Sequence, residues 1–257
     1  MKLIKVPRVN ALGYEGPTGA PDLIVAELEK NKLKLDVSSV DVDNSNVEAS
    51  EKAIYGGASG IFANLEGERA VFVGGDHSIS YPIVKAFGEK FNDAFLIVFD
   101  AHADCDYCAK EPTHEEWLRG VVEAGFKPEN IVLVGARKMW DVEKKFLREK
   151  GIKVFSEVYD IEAIGDYVTE NAMGKDVYVS IDVDVLDPAV APGVSYAEPN
   201  GLSSRELFYL LRRIFCIKSL RAIDVVEVDV VKDEKYDFRT VKVSAKIIDE
   251  FLGSERK

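Results

Sequence analysis

The sequence predicts an α/β protein with three layers (α/β/α), in which a mostly parallel sheet of about eight strands lies between two layers of helices. Short apolar runs rich in β-branched residues alternate with longer segments of helical periodicity, which is typical of strands joined by crossover helices. Some runs, such as Phe95–Phe99, are apolar on both faces, as strands covered on both sides should be. With 257 residues, 47% of them hydrophobic, we expect a single domain over residues 1–257.

Eight segments are predicted as strands: Leu3–Val6, Leu33–Val42, Ala70–Val73, Phe95–Phe99, Ile131–Val134, Val154–Phe155, Val177–Ile181 and Ile223–Val228. Two helices between them have recognisable starts. Pro21 suits the first turn of a helix over Asp22–Leu33, and Ser203 with Glu206 spells a capping box. Four apolar residues after that box have helical spacing and are predicted to face the sheet: Leu207, Leu210, Leu211 and Ile214.

Composition excludes several classes of function. A formal charge of −12 without a cluster of Lys and Arg argues against nucleic acid as a partner. No apolar run approaches the roughly 20 residues of a membrane span, and the start lacks the apolar stretch of a signal peptide, so we expect no membrane partner and a cytoplasmic protein. Three cysteines are too few for a disulfide framework. Cys105 and Cys108 form a lone C-x-x-C, which we interpret as two ordinary residues.

In parallel sheets the binding crevice lies beyond the carboxyl ends of the strands, so reactive side chains are expected there. The strand Phe95–Phe99 runs directly into Asp100, His102 and Asp104. Residues two apart on an extended chain point the same way, so these three side chains are predicted to converge. A solvated polar turn is the alternative, but it explains poorly an acid, imidazole, acid alternation after a buried strand.

Two further predicted strands end in the same kind of residue. Val177–Ile181 is followed by Asp182 and Asp184, for which the alternative is a capping and a turn aspartate. Ala70–Val73 is followed by Gly74, Gly75, Asp76 and His77, where the glycines permit close backbone approach. Only three histidines occur in the chain, and His77 and His102 both fall at strand ends beside acids. Histidine with several carboxylates suits Mn²⁺, and four carboxylates imply two ions.

These motifs resemble the three signature motifs of the arginase and agmatinase family, the ureohydrolases, in residues, order and separation. The segments are Gly74–Ser78, Asp100–Asp104 and Ser180–Pro188, and the likeness extends from about Val71 to Leu252. The resemblance implies two Mn²⁺ per subunit. One ion is then held by His77, Asp100, Asp104 and Asp182, and the other by Asp100, His102, Asp182 and Asp184, with Asp100 and Asp182 bridging. It also implies a homo-oligomer, a trimer or a hexamer.

The implied reaction is attack of hydroxide on the central carbon of a guanidinium, releasing urea and an amine. The leaving amine needs a proton donor, and His114, the remaining histidine, matches the family histidine after the second motif. Glu227 matches the family glutamate that hydrogen-bonds the guanidinium. The chain departs from the family where Glu115 and Glu116 follow His114, and where Asp229 replaces the usual asparagine.

The substrate is predicted less directly than the reaction. The Asn- and Ser-rich loop of arginases is missing between Asp104 and His114, and Glu115, Glu116 and Glu198 favour a small cationic guanidino substrate such as agmatine. Formimidoylglutamate is the main alternative, with Arg137 or Lys138 meeting its carboxylates, and arginine stays open. A non-catalytic metal-binding relative is an alternative of another class, and a deacetylase-like amidohydrolase is a third.

Overall fold

The computed structural model describes residues 1–10, 14–30, 35–108 and 110–254. Its centre is an eight-stranded sheet with strand order β2-β1-β3-β8-β7-β4-β5-β6, in which every neighbouring pair is parallel. The strands are β1 (Lys2–Val6), β2 (Asp36–Ser39), β3 (Ala70–Gly74), β4 (Ala94–Phe99), β5 (Ile131–Val134), β6 (Lys153–Phe155), β7 (Asp176–Asp182) and β8 (Leu220–Val226).

Each of the eight predicted strand segments contains or overlaps one strand of the sheet, so the predicted fold class is confirmed. The second strand is shorter than predicted: β2 covers only Asp36–Ser39, and Leu33 lies outside the described residues. The last strand was predicted to end at Val228 but ends at Val226. The reason is Glu227, whose φ of 67° is left-handed and therefore breaks the extended backbone.

Nine α-helices lie within the described residues; the first seven connect the strands, and the last two follow β8. They are α1 (Ala20–Lys30), α2 (Val47–Ala63), α3 (Ser80–Lys90), α4 (Trp117–Glu123), α5 (Asp141–Lys150), α6 (Ile161–Asn171), α7 (Ser204–Phe215), α8 (Val230–Asp233) and α9 (Arg239–Ser254). The helix predicted over Asp22–Leu33 thus begins earlier, at Ala20, and its predicted end at Leu33 falls outside the described part of the chain. None of the described helices is both long and apolar enough to cross a membrane.

Two hydrophobic cores, one on each face of the sheet, produce the three layers. The first core packs α1, α6, α7 and α9 against one face, and the second packs α2, α3, α4 and α5 against the other. Alternation along β4 shows why both form: Phe95, Ile97 and Phe99 enter the first core, and Leu96 and Val98 enter the second.

The capping box predicted at Ser203 is present at the start of α7. Ser203 Oγ accepts a hydrogen bond from Glu206 N at 3.3 Å, and Glu206 Oε2 accepts one from Ser203 N at 2.8 Å. The four apolar residues that follow the box are all fully buried, as predicted: Leu207, Leu210, Leu211 and Ile214. Local sequence therefore specifies both the start and the buried face of this helix.

The sheet order places the motif-bearing strands side by side. In the order β3-β8-β7-β4, four consecutive strands bring their carboxyl ends to one edge of the sheet. Gly75, just beyond β3, passes so close to β1's continuation that a Cβ atom there would lie 2.0 Å from the carbonyl oxygen of Arg8. Only glycine fits at that position, so the predicted close approach is confirmed and the chain after β3 is directed over the crevice.

Candidate metal centre and substrate cleft

The structure gathers all six side chains that the sequence predicts as metal ligands. They leave the carboxyl ends of three strands: His77 follows β3, Asp100, His102 and Asp104 follow β4, and Asp182 and Asp184 lie at the end of β7. Five of them are buried, and His102 is partly exposed, at 23%. We call this set the ligand cluster.

One half of the ligand cluster surrounds His77. Its Nδ1 atom lies 3.0 Å from Asp100 Oδ2, 3.1 Å from Asp104 Oδ2 and 3.3 Å from Asp182 Oδ2. The N and O ligands of a metal such as zinc lie about 2.0–2.2 Å from the ion, which puts neighbouring ligand atoms roughly 3 Å apart. The separations around His77 therefore match those of ligands that share one ion.

The other half surrounds His102. Its Nδ1 atom lies 2.9 Å from Asp184 Oδ2 and 3.6 Å from Asp100 Oδ1. Asp100 thus presents one carboxylate oxygen to each half, which is the geometry of a bridging ligand. Asp182 directs its Oδ2 at the His77 half, and its Oδ1 accepts a hydrogen bond from Asp184 N at 2.8 Å, as Asp100 Oδ1 does from His102 N.

Hydrogen bonding and charge both fit a pair of divalent cations. His77 Nδ1 and Asp100 Oδ2 are buried and lie 3.0 Å apart, but they do not have the geometry of a hydrogen bond, and neither atom has another hydrogen-bond partner among the described residues, although buried polar atoms are normally paired. Burial and the charge of Asp100 raise the pKa of Asp104 to about 7, and burial also raises the pKa of Asp182. Such closely spaced buried carboxylates are stable as anions only beside positive charge, and carboxylate with imidazole suits ions such as Mn²⁺.

A second layer of hydrogen bonds, which the sequence did not indicate, orients His77. Its Nε2 atom lies 2.9 Å from Ser180 Oγ, and Ser180 Oγ donates to Asp224 Oδ1 at 2.7 Å. Asp224 is fully buried and also accepts from Tyr178 OH and Ser80 Oγ, each at 2.8 Å. An acid flanked by apolar residues in a strand was the available signal, but its partner Ser180 lies on the neighbouring strand, which no local pattern shows.

His114, predicted as the proton donor, lines the cleft above the ligand cluster. It is 6% exposed, and neither ring nitrogen has a hydrogen-bond partner within the described residues. Its Nδ1 atom lies 3.8 Å from Asp76 Oδ2. Burial alone lowers its pKa, but Asp76 and the charge of Glu227 outweigh that effect and raise the pKa of His114 to about 9. In the metal-free protein this raised pKa favours the protonated ring near neutral pH.

Glu227, predicted to bind the guanidinium, lines the same cleft. Its backbone N donates to Gly75 O at 2.9 Å, and its Oε1 accepts from His77 N at 2.8 Å. These two bonds fix it beside the ligand cluster in the left-handed conformation that ends β8. Burial and the charge of Asp76 raise the pKa of Glu227 to about 7.

The cleft has a volume of about 230 Å³. Its base contains four ligand-cluster residues together with His114 and Glu227, and Asp106 and Glu143 also line it. We call the five remaining side chains the rim: Glu115, Lys138, Trp140, Tyr196 and Glu198. Tyr196 lies between the two histidines, with ring centroids 5.5 Å from His114 and 6.5 Å from His102. Periodicity does not identify Tyr196 or Trp140 as cleft residues, because exposed aromatic residues on loops carry no periodic signal.

Two of the residues considered for substrate binding serve the fold instead. The carboxylate of Glu116 does not line the cleft, because it accepts hydrogen bonds from Thr113 N and Thr113 Oγ1 at 2.7 and 2.6 Å. Arg137 donates to backbone carbonyls on both sides of the cleft, including Asp184 O at 3.0 Å and Glu198 O at 2.8 Å. Its guanidinium is therefore occupied, and Lys138 is the basic side chain of this pair that reaches the cleft.

Asp229, where the sequence departs from the family pattern, also has a structural role. It is fully buried, accepts a hydrogen bond from Tyr14 OH, and caps α8 by accepting from Lys232 N at 3.0 Å. A carboxylate is thus accommodated at this position without touching the cleft.

Comparison with known proteins assigns the family. The model of the Arginase family matches residues 15–253. The chain belongs to the arginase family. An agmatinase of Bacillus subtilis is 33% identical to it over 190 residues, or 73% of the chain, and a mitochondrial arginase of Medicago truncatula is 34% identical over 195 residues, or 74% of the chain. The aligned segments span 64% and 56% of the lengths of these two relatives.

Solved structures of the arginase family share the fold. The crystal structure of formimidoylglutamase from Bacillus subtilis superposes with a TM-score of 0.90 at 22% identity, covering 99% of this chain and 86% of that one. The two relatives named above carry different activities, agmatinase and arginase, so membership of the family alone does not assign the substrate of this chain.

Proposed function

We propose that the chain is a metal-dependent hydrolase that cleaves the carbon–nitrogen bond of a guanidino compound and releases urea and an amine, as an agmatinase does. The observation that supports this is the ligand cluster, two groups of ligand-type side chains that share Asp100. The proposed cofactor is two Mn²⁺ ions. We assign one to His77, Asp100, Asp104 and Asp182, and the other to Asp100, His102, Asp182 and Asp184.

The residues around the cluster fit the steps of this reaction. When bound, the two ions supply a hydroxide near neutral pH and polarise the substrate carbon. Glu227 accepts hydrogen bonds from the planar guanidinium and orients it, since its own position is fixed by Gly75 and His77. His114 donates a proton from a ring nitrogen to the leaving amine, which is then released as a neutral group.

The charge of the rim supports a cationic tail on the substrate. Glu115 and Glu198 both line the cleft, and Glu198 Oε1 lies 3.8 Å from His102 Nε2, close to the ligand cluster. An amine at the far end of a short guanidine is attracted by these two carboxylates. Arginase-like binding of an amino acid carboxylate is favoured less, because both carboxylates repel it.

Lys138 supports a second candidate, hydrolysis of formimidoylglutamate. It is a basic side chain lining the cleft, and its Nζ atom lies 5.0 Å from the centre of the Trp140 ring. A substrate with carboxylates on its tail would pair with this ammonium. One cation opposite two carboxylates makes this the weaker of the two candidates.

A cleavage panel with Mn²⁺ tests the proposal, using agmatine, arginine, guanidinobutyrate and formimidoylglutamate. We expect urea from agmatine at the highest kcat/KM. Formamide from formimidoylglutamate without urea would select the second candidate. Bound manganese without product from any of the four would indicate a non-catalytic relative. The variant Asp100→Asn run in parallel shows that any product comes from this site.

We also propose that the protein is a homo-oligomer, a trimer or a hexamer, on the basis of its family resemblance. Light scattering after size exclusion measures the molar mass directly. The proposal expects the mass of three or six chains of 28.5 kDa, and a monomer at micromolar concentration would contradict it.

A further inference from the structure

Trp117 connects the ligand cluster to the segment that carries His114. It is the first residue of α4 and is fully buried. Its Nε1 atom donates a hydrogen bond to Asp104 Oδ2 at 3.0 Å, and that same oxygen lies 3.1 Å from His77 Nδ1. The indole also packs on the imidazole of His77, with ring centroids 4.5 Å apart and an angle of 36°. One side chain therefore contacts two proposed ligands of the same ion.

Backbone hydrogen bonds join the same two segments. Leu118 N donates to Asp104 O at 3.0 Å, and Asp106 N donates to Glu115 O at 3.2 Å. Asp104 has a φ of 49°, a left-handed conformation that a non-glycine residue keeps only when its surroundings hold it. Its contacts with Trp117 and Leu118 supply part of that restraint. His114, three residues before Trp117, lies on the segment that these bonds fix.

We propose that Trp117 is a positioning residue that aims Asp104 at the His77 half of the ligand cluster and holds the His114 segment against it. An indole N–H can only donate, so its bond to Asp104 Oδ2 fixes the direction of that carboxyl group. Groups that hydrogen-bond a metal ligand orient it and tune its basicity, and their removal weakens metal binding by about 10–100-fold. The inference rests on the proposed metal centre and assigns a role that the family match does not.

The decisive variant is Trp117→Phe, which keeps an aromatic ring beside His77 and removes the N–H donor. Calorimetric titration of metal-free protein with Mn²⁺ should show at least one site weakened about tenfold or more. Trp140→Phe is the matched control, since the other tryptophan of the chain is 63% exposed on the rim and should leave Mn²⁺ affinity within about twofold. Unchanged affinity in Trp117→Phe would overturn the proposal, whereas no Mn²⁺ binding by the wild type would overturn the metal centre itself.

A double-mutant cycle distinguishes two causes of a weaker Mn²⁺ affinity in Trp117→Phe: a general loss of stability and the loss of a positioning contact. If Trp117 acts through Asp104, the affinity losses of Trp117→Phe and Asp104→Asn are strongly non-additive, and the double variant is little worse than Asp104→Asn alone. Additive losses would mean that Trp117 only stabilises the fold.

Hydrogen exchange tests the connection to His114. Mn²⁺ should slow amide exchange over residues 113–118 in the wild type, because an ordered Asp104 holds this segment through Trp117 and Leu118. In Trp117→Phe at saturating Mn²⁺ the slowing should be smaller. Equal slowing in both proteins would show that the segment is held without the indole.

Discussion

The base of the cleft and its rim are built differently. At the base, each carboxylate that faces a histidine is held by a second bond: Asp100 Oδ1 accepts from His102 N at 2.7 Å, and Asp184 Oδ1 accepts from Ala101 N at 3.0 Å. At the rim, Trp140 is 63% exposed and Tyr196 is 48% exposed. The groups proposed for the reaction are thus held at buried strand ends. The groups proposed for selectivity are side chains on loops, and several of them are exposed.

The largest effect is expected from Asp100→Asn at the base. Asp100 faces both histidines, so its loss should weaken both proposed metal positions and lower kcat/KM by about 100-fold or more, beyond the 10–100-fold typical of an outer contact. Metal content by mass spectrometry and urea release measure this. Asp93→Asn is the control, because Asp93 precedes the same strand at its opposite end and its side chain is 59% exposed. Equal losses in both variants would contradict a special role for the base.

Metal removal should destabilise the protein. At free Mn²⁺ of 1,000 times the Kd, binding stabilises the folded state by about 4 kcal/mol, which for a chain of this size raises Tm by roughly 8–16 °C. Scanning calorimetry with and without a chelator measures the shift. A shift near zero would mean that the base holds no ion.

The same Tm shift should be smaller at pH 6 than at pH 8. In the metal-free protein the pKa of Asp104 is raised to about 7, above its value in the unfolded chain, so protonation stabilises the metal-free fold as the pH falls through 7. The ion must displace that proton, so its own contribution falls over the same range. Calorimetry at the two pH values checks this, and a larger shift at pH 6 would be the contrary result.

A smaller and selective effect is expected at the rim from Glu198→Gln. An exposed ion pair contributes about 1 kcal/mol, so KM for agmatine should rise about fivefold while kcat changes little. Butylguanidine, which lacks the terminal amine, should show no change in KM and is the internal control. A fall in kcat with both substrates would place Glu198 in the reaction and weaken the distinction between base and rim.

The smallest effect is expected from Ser203→Ala. Ser203 caps α7, the helix that follows the loop carrying Tyr196 and Glu198. Loss of the cap should lower the free energy of unfolding by about 1 kcal/mol and Tm by roughly 2–4 °C. KM for agmatine should be unchanged, since Ser203 does not line the cleft. Thermal melts and steady-state kinetics check both parts, and a raised KM would show that the rim depends on this helix start.

Much of the fold and of the base could be predicted from the sequence, because short local patterns of residues determine both. An apolar run predicts a buried strand, and a polar residue directly after it must emerge at the sheet edge, which identifies Asp100 and Asp182. His77 follows its run only after two glycines and an aspartate. The range predicted for the edge strand β2 was too long, because the exposed residues of this strand follow no apolar pattern that would mark its ends.

What the sequence could not show depends on contacts between distant residues. In the sequence, Asp224 is a polar residue in a strand without any visible partner. Only the pairing of β8 with β7 brings it to Ser180. Arg137 reads as a free cation near a strand end, yet it is surrounded by carbonyl groups from segments about 50 and 60 residues away. These two outcomes follow from tertiary packing, for which periodicity carries no information. Glu116 differs, because its carboxylate accepts hydrogen bonds from Thr113, only three residues earlier, so a local contact decides its direction.

The carbonyl-binding guanidinium of Arg137 has a consequence for how this cleft can be altered. Because it anchors the main chain at Glu198 and Pro199 to the main chain at Asp184, the path of the loop does not depend on which side chains the loop displays. The side chains of residues such as Tyr196 and Glu198 can therefore be replaced while the main chain of the loop stays anchored. To change the guanidine that the protein accepts, these loop side chains would be substituted and Arg137 would be kept.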